Sequence, residues 1–308
     1  MRPPTPGLHH VSAIASDPRA NVDFYTDVLG LRFVKRTVNF DDKFAYHLYY
    51  GDDRATPGTL LTFFPYPRDD DGRVGRPQPK SVAFSVPAGS AGYWYERLLE
   101  RGIDADEPVE RFGEPTVAFR DPDGLAVELV ERDALRGPAT DVVPSDRAIR
   151  NLHSVTLLST SIYHTAATLE VLGFELLDQE GDRVRYRAPG EYGTDVDLLD
   201  VETEYGREGS GTIHHVAFGA GDTSLPEWRD RLLEAGLEPT FVKDRYYFES
   251  IYFREPGGIL FEIATAEPGF TVDENPEDLG STLSLPQWFE EDREMIVSQL
   301  PDLEVPDS

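Results

Sequence analysis

The chain has no cysteine. Disulfides, thiolate metal sites and cysteine nucleophiles are therefore excluded, and any bound metal has to be held by imidazole and carboxylate. Lysine is scarce as well: Lys35, Lys43, Lys80 and Lys243 are the four, and arginine makes up the rest of the 29 basic residues. Against these stand 57 acidic residues, for a formal charge of -28. A nucleic-acid partner needs a basic footprint, which this balance does not supply. No apolar run reaches the roughly 18 to 20 residues that cross a bilayer. The opening MRPPTPGLHH lacks the apolar core of a signal peptide. The expectations are no membrane partner and a cytoplasmic location. The acid is spread over the whole chain and not held in one tail, which points to a surface adapted to high salt and to a halophilic source.

What is present is the composition of a folded protein, with 308 residues, 39% of them hydrophobic and 11% aromatic. That length buries one large core or two ordinary ones. The chain also resembles itself. PTVAFRDPDGLAVELVER and ESIYFREPGGILFEIATA both read aromatic, Arg, acid, Pro, turn residue and Gly, then a short apolar strand carrying one Glu. The offset from Gly124 to Gly258 is 134. It also carries Glu128 onto Glu262, Gly102 onto Gly236, and Val82-Ala83-Phe84 onto Val216-Ala217-Phe218. A looser pair matches VLGLRFV at 28–34 to VLGFELL at 171–177, and LHHV at 8–11 to LHSV at 152–155, with offsets of 143 and 144.

Each unit reads as a short strand, then an amphipathic helix stopped by Gly30, Gly102, Gly173 or Gly236, then extended segments between Gly/Pro/Asp turns. The order is β-α-β-β-β, four times. The expected organisation is an N-terminal half at 1–132 with modules at about 8–66 and 80–132, and a linker at 133–149. A C-terminal half follows at 150–270 with modules at about 150–202 and 211–266, then a tail at 271–308 with a helix near Leu285–Leu300.

HHV near the start, DFYTDVLGLRFV after it and the final GGILFEI resemble the vicinal oxygen chelate superfamily, which includes the glyoxalase, bleomycin-resistance and extradiol dioxygenase proteins. The resemblance implies an α+β fold in which paired modules curl into open β-cups. Here that means two cups plus a C-terminal helical tail, with a metal inside a cup.

The repeat serves as a filter for ligands. Just before the Val of each first strand, modules one and four carry His10 and His215, and modules two and three carry Ser81 and Ser154. Four residues after the turn glycine of each last strand stand Thr62, Glu128, Asp197 and Glu262 in turn. Pairing module one with module four is the arrangement that unites two histidines and a carboxylate: His10, His215 and Glu262. Two imidazoles and one carboxylate on a single face leave about three positions open, as in non-haem iron(II) oxygenases, and manganese(II) accepts similar ligands. Glu128 has serines for company and reads as structural. His153 aligns with His9 and is the fallback ligand if modules three and four pair instead. His47 and His164 carry no positional signal and read as surface or core residues.

At finer grain, LHHVS at 8–12, RFVKRTVNFDD at 32–42, YHLYYGD at 46–52, TPGTLLTFFP at 56–65, IHHVAF at 213–218, DRYYFESIYFREPGG at 244–258 and PGFTVDE at 268–274 are similar to the hydroquinone-cleaving dioxygenases. Val272 and Ser12 depart from that group, which often carries His and Thr there. The resemblance implies an iron(II)-dependent, extradiol-type ring-cleaving dioxygenase whose partners are a small aromatic diol and O2. A homo-oligomeric assembly stays open. The triad is implied again, with His9, His214, Arg245 and Tyr252 as further site residues. Arg245 favours an anionic substrate oxygen and Tyr252 donates a hydrogen bond. The two-residue strand period places His9 and His214 on the face opposite their neighbours, unless the strands curl. Glyoxalase I-type relatives take a fourth ligand near Thr62, which a threonine does not provide. The alternative function is a metal- or ligand-binding protein that sequesters a quinone or antibiotic without turnover.

Overall fold

The computed structural model describes residues 2–68, 70–132, 140–191 and 193–304. The stretch 133–139 of the expected linker therefore lies outside the described residues. Module one comprises β1 (Leu8–Ala15), α1 (Pro18–Asp23), β2 (Arg32–Asn39), β3 (Asp42–Gly51) and β4 (Leu60–Pro65). Module two comprises β5 (Gln78–Val86), α2 (Ala91–Glu100), β6 (Val109–Arg111), β7 (Glu114–Arg120) and β8 (Ala126–Glu131). In module three are β9 (Asn151–Leu158), α3 (Ile162–Leu172), β10 (Glu175–Glu180), β11 (Arg183–Arg187) and β12 (Asp195–Leu199). Module four has β13 (Ile213–Gly219), α4 (Leu225–Glu234), β14 (Lys243–Asp244), β15 (Phe248–Arg254) and β16 (Leu260–Pro268).

Local chemistry sets the helix limits. Asp17 caps α1 by accepting from the Arg19 and Ala20 amides, and Ser224 with Glu227 forms a capping box on α4. The four glycines expected to stop the helices all have positive φ, from 70° at Gly30 to 95° at Gly173, a region that glycine enters without a Cβ clash. Each helix buries one face against its sheet. Trp94 and Leu98 of α2, and Trp228 and Leu232 of α4, are fully buried. These pairs are again 134 residues apart, so the repeat extends to the core.

The modules assemble into two eight-stranded sheets. One runs β14-β15-β16-β13-β1-β4-β3-β2, the other β10-β11-β12-β9-β5-β8-β7-β6. The antiparallel β1/β13 pair joins module one to module four, and the antiparallel β5/β9 pair joins module two to module three. Within each module the first and last strands are parallel. Their register pairs Ser12 with Thr62, Ala83 with Glu128, Thr156 with Asp197, and Ala217 with Glu262. In every module that partner lies two residues past the ligand-position residue, so the self-alignment holds throughout.

Both central pairs are bulged. Leu8 faces Phe218 and His10 faces Ala217, which leaves His9 without an opposite residue; Ser12 faces His215 and Ala13 faces Ile213, which leaves out His214. The second sheet repeats this at Lys80 and His153. A bulge adds one residue to a strand and re-aims its side chain.

The tail runs along the outside of module one. Lys35, fully buried, binds Asp273 at 2.7 Å and also Glu274, and Arg36 donates to the Leu303 carbonyl at 2.8 Å. The expected tail helix is α5 (Arg293–Gln299), preceded by a 3-10 stretch. Among the described residues no helix is long and apolar enough to cross a membrane.

Candidate metal centre

Because β1, β13 and β16 are neighbours in the first sheet, the three expected ligands end on one concave face. His10 Nε2 lies 3.3 Å from His215 Nε2 and 3.3 Å from Glu262 Oε2, and His215 Nε2 lies 2.9 Å from the same oxygen. All three residues are buried, Glu262 completely. Despite these close approaches neither Glu262 oxygen has a hydrogen-bond partner among the described residues. A buried carboxylate in that condition is costly, and a cation between the three groups relieves it. The donor set fits a divalent first-row metal.

His9 and His214 do not point away from their neighbours. As the extra residues of the two bulges, they turn back: His9 Nδ1 lies 2.9 Å from His10 Nδ1, and His214 Nδ1 lies 2.7 Å from His215 Nδ1. The period-two expectation fails because it assumes regular pairing. A tautomer chain follows for the first pair. His9 Nε2 sits 3.0 Å from the Thr265 carbonyl, which only accepts, so this nitrogen carries the proton. Burial, aided by His10, lowers the His9 pKa to about 3 and keeps the ring neutral. Its Nδ1 then accepts from His10 Nδ1, which leaves the His10 Nε2 lone pair facing Glu262.

Arg245 and Tyr252 both line the same cavity. Arg245 Nε donates to the Tyr252 hydroxyl at 3.0 Å, and Nη2 to Asp41 at 2.8 Å, tying β15 to the β2–β3 turn of module one. Burial opposes the guanidinium charge, but Tyr252 and Asp41 more than offset it and raise the Arg245 pKa. Burial, then Glu262, raises the Tyr252 hydroxyl, so it remains a donor. Its oxygen is already accepting from Arg245, which frees its proton for the cavity.

The cavity measures about 490 Å³ and has aromatic walls at Tyr49, Phe64 and Phe248. His47, read from the sequence as a surface or core residue, is part of it. Its ring lies between Tyr49 and Phe64 with centroids 4.0 and 4.1 Å away. Its Nε2 is 2.9 Å from Thr62 Oγ1, which is 2.7 Å from Ser12 Oγ. Hydroxyls thus occupy the place where a fourth ligand would stand. The available signal was alternation along β3, which points His47 and Tyr49 to one face. His164 is exposed at the start of α3.

Residues 7–129 and 169–263 match the glyoxalase/bleomycin resistance protein/dioxygenase superfamily. The chain belongs to that superfamily. It is 43% identical over 312 residues, 99% of each chain, to a Bacillus subtilis protein with the provisional name ring-cleaving dioxygenase MhqO. It is 33% identical over 317 residues, 96% of each chain, to the chlorohydroquinone/hydroquinone 1,2-dioxygenase of Sphingobium indicum. A crystal structure from Bacillus subtilis, provisionally titled a dioxygenase, superposes with a TM-score of 0.96 at 42% identity over the whole of both chains.

The second sheet of this superfamily member is used differently. Glu128 accepts from Arg111 at 2.8 Å, and Asp197 is held by Arg183 and Arg185 at 2.9 and 2.7 Å. His153, with Glu114 and Asp195, forms a second group of metal-ligand types. Arg132, Arg185 and Arg187 already neutralise those two carboxylates. His153 is remote from the triad because module three pairs with module two.

Proposed function

We propose that the chain is a non-haem iron(II) ring-cleaving dioxygenase acting on a hydroquinone-like dihydroxylated aromatic with O2, opening the ring beside a hydroxylated carbon. His10, His215 and Glu262 are the metal ligands in this reading. It rests above all on Glu262, a fully buried carboxylate between two histidines with neither oxygen hydrogen-bonded among the described residues. The named relatives support the reaction class.

Iron(II) held by His10, His215 and Glu262 would supply Lewis acidity toward a phenol oxygen and redox capacity toward dioxygen; manganese(II) suits the same donors. The protein's part is positioning. Tyr49, Phe64 and Phe248 hold the ring flat against apolar surface and exclude water. Tyr252 donates its free proton to an oxygen at the open side of the triad, and Arg245 behind it stabilises the charge that develops there. His9 keeps His10 in the tautomer with a free Nε2, and His214 braces the His215 ring through Nδ1.

The test is anaerobic loading with iron(II), then oxygen uptake with hydroquinone, substituted hydroquinones and catechol, with manganese(II) in parallel. Uptake with hydroquinones, coupled to loss of the aromatic absorbance, is expected. No uptake with any diol despite stoichiometric iron would overturn the enzyme reading in favour of a sequestering protein.

A further inference from the structure

We propose that the cup of the second sheet is a binding site for a small monocarboxylate, held between the Lys80 ammonium and the Ser81 hydroxyl. This site lies in module two, away from the triad, and does not depend on the proposed reaction.

The repeat shows what module two kept and what it exchanged. At the offset of 134, Glu128 and Arg111 answer to Glu262 and Arg245, so the carboxylate and the guanidinium are retained. His215 is replaced by Ser81, His214 by Lys80, and Tyr252 by Ala118. Arg111 is not engaged by a tyrosine; it turns to Glu128 at 2.8 Å and neutralises it. Two imidazoles that accept a cation have become an ammonium and a hydroxyl, and a phenol ring has become a methyl group. A cavity of about 460 Å³ lies at these positions, lined by Lys80, Ser81, Arg111 and Glu128, with apolar walls at Ile103 and Phe119. That volume is within the usual range for a small-molecule site.

Two groups in this cavity lack partners. The Ser81 hydroxyl is buried and has no hydrogen-bond partner among the described residues. Lys35, Lys43 and Lys243 each have a carboxylate within 4.0 Å, whereas half-buried Lys80 pairs with none among the described residues. Lys80 is also the extra residue of its bulge, which turns it to the side of Ser81 just as His214 turns to His215. Besides burial, Arg183, Arg111 and Arg120 lower its pKa against Glu128 alone.

The surrounding charge favours an anion. Glu128 is spent on Arg111. Asp121 is occupied by Tyr25 and the Leu125 amide, and Asp104 and Asp106 are exposed at the rim, where water screens them. Arg120 also lines the cavity without an ion pair among the described residues, but it is exposed to water and donates to the Gly124 carbonyl at 2.6 Å. One half-buried free cation, one hydroxyl donor and an apolar wall match a single carboxylate on a compact hydrocarbon body. A phosphate dianion would bring more charge than the one half-buried ammonium balances.

The probe is benzoate, titrated calorimetrically into the metal-free full chain at fixed ionic strength, with benzyl alcohol and inorganic phosphate for comparison. Saturable one-site binding of benzoate is expected, with neither comparison compound matching it. Lys80→Gln weakens binding about tenfold or more, the loss expected for a charge-assisted hydrogen bond, Ser81→Ala weakens it less, and His10→Ala leaves it unchanged. No saturable binding by the folded protein would overturn the proposal, as would indifference to Lys80→Gln, loss in His10→Ala, or phosphate binding as tightly as benzoate. Should Lys80→Gln fail to fold by circular dichroism, Ile103→Trp, which fills the cavity from its apolar wall, has to abolish binding.

Discussion

His9 offers the sharpest test of how the first cup works, because it touches the proposed ligand His10 and stands outside the proposed triad. His9→Ala removes two contacts, to His10 Nδ1 at 2.9 Å and to the Thr265 carbonyl at 3.0 Å. Each such bond is worth about 0.5–1.5 kcal/mol net, so the fold loses about 1–3 kcal/mol before any cavity cost. The larger effect falls on the metal. With the Nδ1 acceptor gone, His10 is free to protonate Nε2 in place of Nδ1, and only the latter tautomer presents a lone pair to Glu262. Loss of such an outer partner costs about 10–100-fold in metal affinity, or about 1.4–2.8 kcal/mol. The assay is an anaerobic iron(II) titration against a competing chelator, with thermal melts to show that the variant is folded. His9→Asn, which keeps an acceptor near the Nδ1 position, should recover part of the affinity. An unchanged affinity in His9→Ala would refute the tautomer chain. Loss as complete as in His10→Ala would make His9 a ligand and refute it in the other direction.

Four further outcomes are expected. His10→Ala abolishes iron retention and His153→Ala does not, measured by metal content after desalting. Metal at about 100 times its Kd raises stability by about 2.7 kcal/mol, read as a higher Tm, and the gain disappears in Glu262→Gln. Glu114 is pushed upward by burial, but His153 and Arg132 outweigh that and lower its pKa to about 2. Its stabilisation is complete above the ordinary carboxylate pKa and is lost as pH falls from about 4.5 toward 2, so Glu114→Gln flattens the fall of Tm over that acid range. With 57 acidic residues and a charge of -28, dialysis into low salt lengthens the screening distance and lowers the Tm; an indifferent Tm would remove the halophilic reading.

Much of the fold was legible because it repeats. A helix-stopping glycine and an apolar strand ending in an acid are local signals, and the constant offset of 134 turned them into modules. The meeting of the three candidate ligands was legible for a related reason: His10, His215 and Glu262 stand at matched positions, and their chemistry suggested the pairing of module one with module four. What the sequence hid is non-local. The bulges at His9 and His214 are properties of the β1/β13 pairing, absent from either strand alone, and so the two-residue period does not give the side those residues face. The place of His47 in the cup depends on how β3 curves between β2 and β4, which no local pattern encodes. The anchoring of Lys35 by Asp273 and Glu274 joins residues more than 230 positions apart, and no periodicity signals it.

The bulges also explain how one fold maintains two cups of different character. In a regular strand, adjacent residues face opposite sides, so a dipeptide contributes one group to a cup. A bulge at the first residue of the pair brings both to the same side. Each central strand therefore presents a two-residue unit: His9-His10 and His214-His215 in one sheet, Lys80-Ser81 and His153-Ser154 in the other. In the proposed metal centre two His-His units facing across β1 and β13 give two ligands, each with its neighbour against it, and Glu262 completes a cluster that joins the first module to the last. Changing the second residue of the unit to serine removes the ligand without disturbing the backbone. Glu128 and Asp197, the counterparts of Glu262 in modules two and three, must then find other cations, and they do so in Arg111, Arg183 and Arg185. The arginines of the second sheet thus neutralise the carboxylates that have no histidine pair beside them. Placing histidines at Ser81 and Ser154 would fail to create a metal site while those guanidiniums remain.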